Sequence, residues 1–343
     1  MERSDHIAMI VRDPCWLPHR YDPGQDAIHF LKVDRTLAGR TPFLIDKELP
    51  AGLPSVVLGR DESIAAAPAP APLHLILHSG YCCSTLLARA FDRPGHATVL
   101  KEPTILNDLV GWSRRGDHAA RVAPASADLL CLLARPHEPG EKVIVKPSNV
   151  LNGLAPSLLE RHGGTQALLL YAPLPVYLGS IARKGMWGAL WVREHLLGAL
   201  QDGIMKLGFD RDAYLGQTDL QIAAMGWLAQ QGVFQGLVRR FGPGRVRAID
   251  SETLLARREP AIAGLAALFG LGLSREDTDA IANGPAFSRH SKFATPFDAG
   301  DRRREQADIP ADRRDEIEKV AIWTEAVARS AGIALAPGAP LLG

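Results

Sequence analysis

From Leu73 onward the apolar residues fall into short runs separated by helix-length stretches of mixed character. Leu73–Leu77 (LHLIL), Ala97–Leu100, Lys142–Val145 (KVIV), Ala167–Tyr171 (ALLLY) and Arg245–Ile249 (RVRAI) each read as a strand. Apolar runs this short, bounded by turn residues, suit strands covered on both faces of a parallel sheet. Between them, Thr85–Phe91, a stretch from Thr104, Asp128–Ala134, Ala261–Phe269 and Ile317–Ala328 read as helices, as does most of Gly185–Phe241, with a break near Gly208–Arg211. Pro173 and Pro175 mark another helix start. This alternation predicts an α/β fold, a parallel sheet flanked by helices. In such a sheet the ligand lies beyond the carboxyl ends of the strands.

The segment before Leu73 reads differently. It holds two strand-like stretches, Ile28–Val33 and Ser55–Leu58, and then Ala65–Pro72 (AAAPAPAP), an extended connector. The expected organisation is an N-terminal extension over 1–64 packing on the core, a connector over 65–72, and an α/β domain over 73–343.

Composition narrows the function classes. Of 343 residues, 46% are hydrophobic and 22% charged, which supports a full core, and the formal net charge of +1 argues against a dedicated nucleic-acid protein. The four cysteines, Cys15, Cys82, Cys83 and Cys131, show no metal-ligand spacing and no disulfide framework, so no metal is expected. The first residues, MERSDHIAMIVRD, lack a signal-type apolar stretch, and no run approaches membrane-spanning length. A cytoplasmic setting with no membrane partner is the expectation.

The chemistry concentrates at one junction. HSGYCCST joins the strand ending at His78 to a helix that opens on Ser84 and Thr85. Free N–H groups at a helix start, with hydroxyl donors beside them, make an anion site without a charged side chain. An ordinary strand-to-helix turn has the same composition. The nucleotide-triphosphatase loop GxxxxGK[ST] is absent, because its Lys is missing. Cys83 and Arg89 enclose five residues, as in a phosphatase nucleophile loop. Those five, Ser-Thr-Leu-Leu-Ala, belong on a buried helix face, and small Cys82 and Cys83 let the backbone turn tightly. Glu102, Lys146 and Asp250 stand at the ends of three other strands.

The series HSGYCCSTLLARAF, LKEP, VIVKPSN, ALLLYAPLPVYLGSIAR and RVRAIDSETLLARREPAIAGLAALFGL resembles the sulfotransferase superfamily, in the branch of bacterial and tyrosylprotein sulfotransferases. The resemblance runs from about Leu73 to Leu271 with element order kept. It implies an enzyme that moves a sulfuryl group from 3′-phosphoadenosine-5′-phosphosulfate (PAPS) to a hydroxyl or amine of a small molecule or peptide. Ser79, Gly80, Tyr81, Cys82, Cys83, Ser84 and Thr85 would hold the 5′-phosphosulfate. Glu102 would be the general base, Lys146 would stabilise the transferred oxygens, and Ser180 would bind the 3′-phosphate.

Two family cations are absent. Tyr81 stands at the Lys or Arg of the loop, and Ala172, or Tyr171 with a one-residue shift, stands at the arginine that opens the R-D-P element. Arg183 and Lys184, one turn beyond Ser180, are candidate replacements. So are His78 and the late basic loop SRHSK, with Arg289, His290 and Lys292. Trp187 and Trp191 fall where the family builds its acceptor pocket, although Trp residues four apart on a helix also suit a core. A scaffold that binds a different anion without catalysis, and an ATP-dependent phosphotransferase on the same loop, are the alternative readings.

Overall fold

The structure is a computed structural model that describes residues 3–116, 119–210, 212–288 and 309–343. Among these, eight strands make two sheets. The first is antiparallel and follows chain order: β1 (Trp16–Asp22), β2 (Ala27–Lys32) and β3 (Ser55–Gly59). The second comprises β4 (Leu73–His78), β5 (Ala97–Lys101), β6 (Lys142–Lys146), β7 (Ala167–Tyr171) and β8 (Val246–Asp250). It is parallel throughout, in the order β5-β6-β4-β7-β8.

That order sets the position of the site. From β4 the chain crosses to the edge at β5, returns to β6, and then passes to β7 and β8 on the other side. The winding direction therefore reverses around β4. A crevice opens at such a switch point, beyond the carboxyl ends of the strands.

The described helices are α1 (Arg3–Arg12), α2 (Arg35–Arg40), α3 (Arg60–Ala66), α4 (Ser84–Phe91), α5 (Thr104–Arg114), α6 (Ala119–Leu133), α7 (Ala155–Arg161), α8 (Leu174–Ala182), α9 (Gly185–Gln201), α10 (Asp219–Phe241), α11 (Ser251–Ala256), α12 (Arg258–Leu268), α13 (Arg275–Ala282) and α14 (Ala311–Ala331). Their starts follow local chemistry. Thr218 and Gln221 form a reciprocal capping box on α10, and Ser274 and Asp277 form one on α13. Asp250 accepts the N–H groups of Glu252 and Thr253 and so starts α11.

Side chains alternate across the parallel sheet as the two-residue strand period requires. Ile76, Val99, Ile144, Leu168 and Leu170 enter a core with α4, α8, α10 and α12. Leu75, Leu77, Leu100, Val143, Val145 and Leu169 enter the opposite core, which also holds Ile10, Phe30, Leu44 and Leu58 from the N-terminal segment. That segment and the parallel sheet thus share one apolar cluster.

Several boundaries differ from the sequence reading. The Ala/Pro connector begins at Ala67, because α3 runs through Ala66 and stops where Pro68 disfavours helix for the residue before it. α6 starts at Ala119, well before Asp128, and carries Pro124 inside it, past the first turn, so one bond of its ladder is missing there. α9 ends at Gln201 and α10 begins at Asp219, an interval wider than the Gly208–Arg211 region, and Gly203 (φ 67°) and Gly208 (φ 80°) turn the chain after α9.

Both edges of the parallel sheet are covered, which blocks further strand pairing. On the β8 side, Ala248 donates to Ala339 C=O (2.9 Å) and accepts from Leu341 N–H (2.7 Å). On the β5 side, Arg35 Nη2 donates to Ala97 C=O (2.8 Å) and Leu44 N–H to Lys101 C=O (2.7 Å). Buried Arg135 fastens the N-terminal segment further by donating to the carbonyls of Val11, Leu132 and Trp16.

Candidate functional site

β4 ends at His78 and α4 begins at Ser84. In the loop between them Gly80, Tyr81 and Cys83 take φ values of +84°, +53° and +65°. Cys82 and Ser84 lie outside the positive-φ region, so from Tyr81 to Ser84 the sign of φ alternates, and such alternation turns backbone N–H groups into a concavity that favours anions. Cys83 is the N-cap of α4 and makes no side-chain capping bond. The first helical hydrogen bond runs from Leu87 N–H to Cys83 C=O (3.0 Å), so the N–H groups of Ser84, Thr85 and Leu86 lie ahead of the helix's own ladder. The helix dipole adds positive potential at the same end.

The loop is pinned from both neighbouring strands. Ser79 N–H donates to Leu170 C=O (3.1 Å), and Ser79 Oγ accepts from Ala172 N–H (3.2 Å). His78 Nδ1 accepts from Gly80 N–H (3.1 Å), while its Nε2 lies 3.0 Å from Pro147 C=O. A carbonyl only accepts, so the His78 proton sits on Nε2 and the ring is neutral. His78 thereby ties the loop to the residue that follows Lys146.

Glu102 and Lys146 meet at the ends of adjacent strands. Lys101 pairs with Lys146 in the register of β5 and β6. Glu102 N–H donates to Lys146 C=O (2.6 Å), and Lys146 Nζ hydrogen-bonds Glu102 Oε1. Glu102 holds φ +51°, a left-handed conformation that costs a non-glycine residue about 1–3 kcal/mol. Lys146 is 1% exposed. Burial pulls its ammonium below the ordinary lysine range, and the Glu102 carboxylate opposes that shift. Cys82 lies close enough to interact electrostatically with the same ammonium. Loop, carboxylate and ammonium therefore form one cluster at the ends of β4, β5 and β6.

Lys101 adds a second buried ammonium, its Nζ donating to Gly39 C=O (3.0 Å). Burial, helped by Arg89, pushes it down to about 8. An aromatic and polar wall closes the other flank. Tyr81 meets the ring edges of Tyr177 (6.0 Å) and Trp191 (5.4 Å), and Trp191 stacks on His195 (5.2 Å). His195 Nε2 accepts from Gln230 Nε2 (3.0 Å), Gln230 Oε1 accepts from Asn152 Nδ2 (2.7 Å), and Asn152 donates also to His78 C=O (3.0 Å). Burial holds His195 down to about 4.

The sequence-derived residues divide into groups. Ser79 to Thr85, His78, Glu102 and Lys146 come together at the strand ends. Ser180 lies on α8, where its Oγ donates to Val176 C=O (2.9 Å), three positions beyond the Tyr177 that packs on Tyr81. Arg183 caps α8, and Lys184, at the start of α9, places Nζ 5.9 Å from the Trp187 ring. Trp187 is 56% exposed, whereas Trp191 packs on the loop. Arg289, His290 and Lys292 lie outside the described residues. The phosphatase reading of Cys83 fails, because the five residues that would wrap a phosphate are helix α4.

The two neutral positions have structural reasons. Ala172 is fully buried; its N–H is held by Ser79 and its carbonyl accepts from Trp227 Nε1 (2.9 Å), so a cation there would be buried without water. Tyr81 uses its ring for packing, and burial pushes its phenol up to about 12, so it stays uncharged. Sequence reasoning missed Asn149, Asn152, Gln230, His195, Lys101 and Phe43. The Asn149/Asn152 pair had a signal, two amides three apart in the otherwise apolar NVLNGL stretch after Lys146-Pro147.

No family model matches the chain, and no curated protein matches it. Among solved structures, it is similar to the sulfotransferase domain from the curacin biosynthetic pathway, with 11% identity, 78% of this chain and 99% of that chain covered, and a TM-score of 0.41. Among the described residues, no helix is long and apolar enough to cross a membrane. No group of His, Cys, Asp and Glu among them is arranged to hold a metal ion.

Proposed function

We propose that this chain is a sulfotransferase-like enzyme that transfers a sulfuryl group from PAPS to a hydroxyl or amine of a small molecule or peptide. The observation that carries the reading is the meeting of a left-handed N–H loop with Glu102 and Lys146 at three adjacent strand ends. Backbone strain clusters there. Of the five non-glycine residues with positive φ among the described residues, Tyr81, Cys83 and Glu102 belong to this cluster.

The residues divide the work as follows. The N–H groups beyond Gly80, with the Ser84 and Thr85 hydroxyls, hold the 5′ end of the donor, because Ser79 and Gly80 spend theirs on Leu170 C=O and His78 Nδ1. Arg183 serves the 3′-phosphate, joined by Ser180 once its hydroxyl turns away from Val176 C=O. The donor supplies the sulfuryl group and the bisphosphate leaving group. The acceptor oxygen or nitrogen attacks sulfur while the S–O bond to the bisphosphate breaks, and the acceptor proton passes to Glu102. Lys146 spends one N–H on Glu102 Oε1 and has two more for charge growing on the sulfuryl oxygens. Catalysis of this kind is chiefly positioning and charge stabilisation.

Incubation with sulfur-labelled PAPS and a panel of phenols, alcohols, amines and tyrosine peptides tests the reading. Labelled product should form, and Glu102→Gln should lower turnover by about 10²–10⁴-fold while donor binding persists. Tyr81 and Ala172 favour a second reading, an anion-binding scaffold without transfer. Donor binding with no product across the panel would select it.

A further inference from the structure

We propose that the strap from Gly39 to Asp46, contributed by the N-terminal segment, is a working part of the Glu102–Lys146 site, with Phe43 as the positioning residue for the Lys146 ammonium. The proposal rests on the reading of Glu102 and Lys146 as the working pair.

The strap is held along its length. Lys101 Nζ donates to Gly39 C=O (3.0 Å), and Arg89 Nη2 donates to Arg40 C=O (3.1 Å). Thr41 closes the end of α2 through its N–H (3.0 Å) and Oγ1 (2.7 Å), both donating to Leu37 C=O. Leu44 is fully buried: its N–H donates to Lys101 C=O (2.7 Å), and its carbonyl accepts from Thr104 N–H (3.2 Å) and Thr104 Oγ1 (3.1 Å). Asp46 accepts from His19 Nε2 (2.6 Å) and Arg20 Nη1 (2.9 Å). Lys101 and Thr104 flank Glu102 in sequence, so the strap is bonded on both sides of that carboxylate.

Between the Thr41 and Leu44 anchors, Phe43 presents its ring to Lys146 Nζ at 5.0 Å. A lysine side chain has four rotatable bonds, and a buried ammonium needs partners for its three N–H groups. Glu102 supplies one. The negative face of the Phe43 ring supplies electrostatic attraction from another side without offering a competing acceptor, and it excludes water. Such a face holds the ammonium in place and leaves donors for an incoming anion, whereas a second carboxylate would neutralise the charge and repel that anion. The strap therefore does more than cover the β5 edge.

Amine acetylation read by peptide mass spectrometry tests this without any donor. In the full chain, Phe43→Leu keeps apolar bulk and loses the ring face, and Phe43→Tyr keeps the face. Acetylation of Lys146 should quicken about tenfold in Phe43→Leu and stay at the wild-type rate in Phe43→Tyr, with melting temperatures matched. In the transfer assay, Phe43→Leu should lower kcat with little change in KM for the donor. Equal labelling in all three proteins would overturn the strap's role. If Phe43→Leu does not fold, faster labelling of Lys146 in folded Phe43→Tyr would equally overturn it. Labelling that follows the ring face in a protein that never turns over PAPS would sustain the strap and sink the sulfotransferase reading, so the two failures are distinguishable.

Discussion

Glu102 concentrates the residue-scale argument, because its backbone is left-handed and its carboxylate faces a buried ammonium. If that conformation is held for function, Glu102→Gly should be more stable than Glu102→Ala by about 1 kcal/mol in chemical unfolding, although both remove the carboxylate. Lys146→Met separates function from stability in another way. Combined with Glu102→Gln, so that no carboxylate is left unpaired beside an apolar side chain, it should abolish transfer and change unfolding free energy by less than about 2 kcal/mol. A much larger loss of stability would make Lys146 a structural residue. The place of both residues was legible in the sequence because each stands within two positions of the last apolar residue of a strand, and a strand end is where such a sheet exposes its chemistry. Phe43 was not legible, since its meeting with Lys146 depends on a strap folding back across the sheet edge.

At the scale of elements, the loop is held by hydrogen bonds that no local pattern announces. His78, Asn152, Gln230 and His195 come from β4, the turn after β6, α10 and α9. The parallel strands were readable from apolar runs, and the loop from its Gly and hydroxyl residues. In the N-terminal segment β2 and β3 were readable, near Ile28–Val33 and Ser55–Leu58, but β1 was not: it contains a proline and three charged or imidazole side chains within WLPHRYD, so its pattern is mixed. Burial also fixes a pH dependence. His195 and His74 are held down to about 4, chiefly by burial, against an ordinary value near 6.5. Between those values the unfolded chain binds protons that the folded chain refuses. Stability from these rings is therefore full above about pH 6.5 and is lost as pH falls toward 4, on the order of 2 kcal/mol per ring at pH 5. Melting temperatures from pH 7.5 to 5 should fall in the wild type and fall less in His195→Gln. Parallel curves would contradict the assignment.

At the scale of the whole molecule, the N-terminal segment and the parallel sheet complete one apolar cluster, and the chain's two end regions cover the sheet's edges. Deleting residues 3–66 should abolish cooperative unfolding, because it uncovers that cluster and strips Arg135 of the Val11 and Trp16 carbonyls. A truncated protein that melts like the full chain would make the segment a separable unit. The central claim is narrower and concerns the strand ends around β4. Calorimetric titration with 3′-phosphoadenosine 5′-phosphate, the bisphosphate that sulfuryl transfer would leave behind, tests it most directly. The site described should bind one equivalent with a Kd on the order of micromolar, and Gly80→Ala, which strains the loop at φ +84°, should weaken binding about tenfold. No saturable heat, or equal affinity in the loop variant, would contradict it.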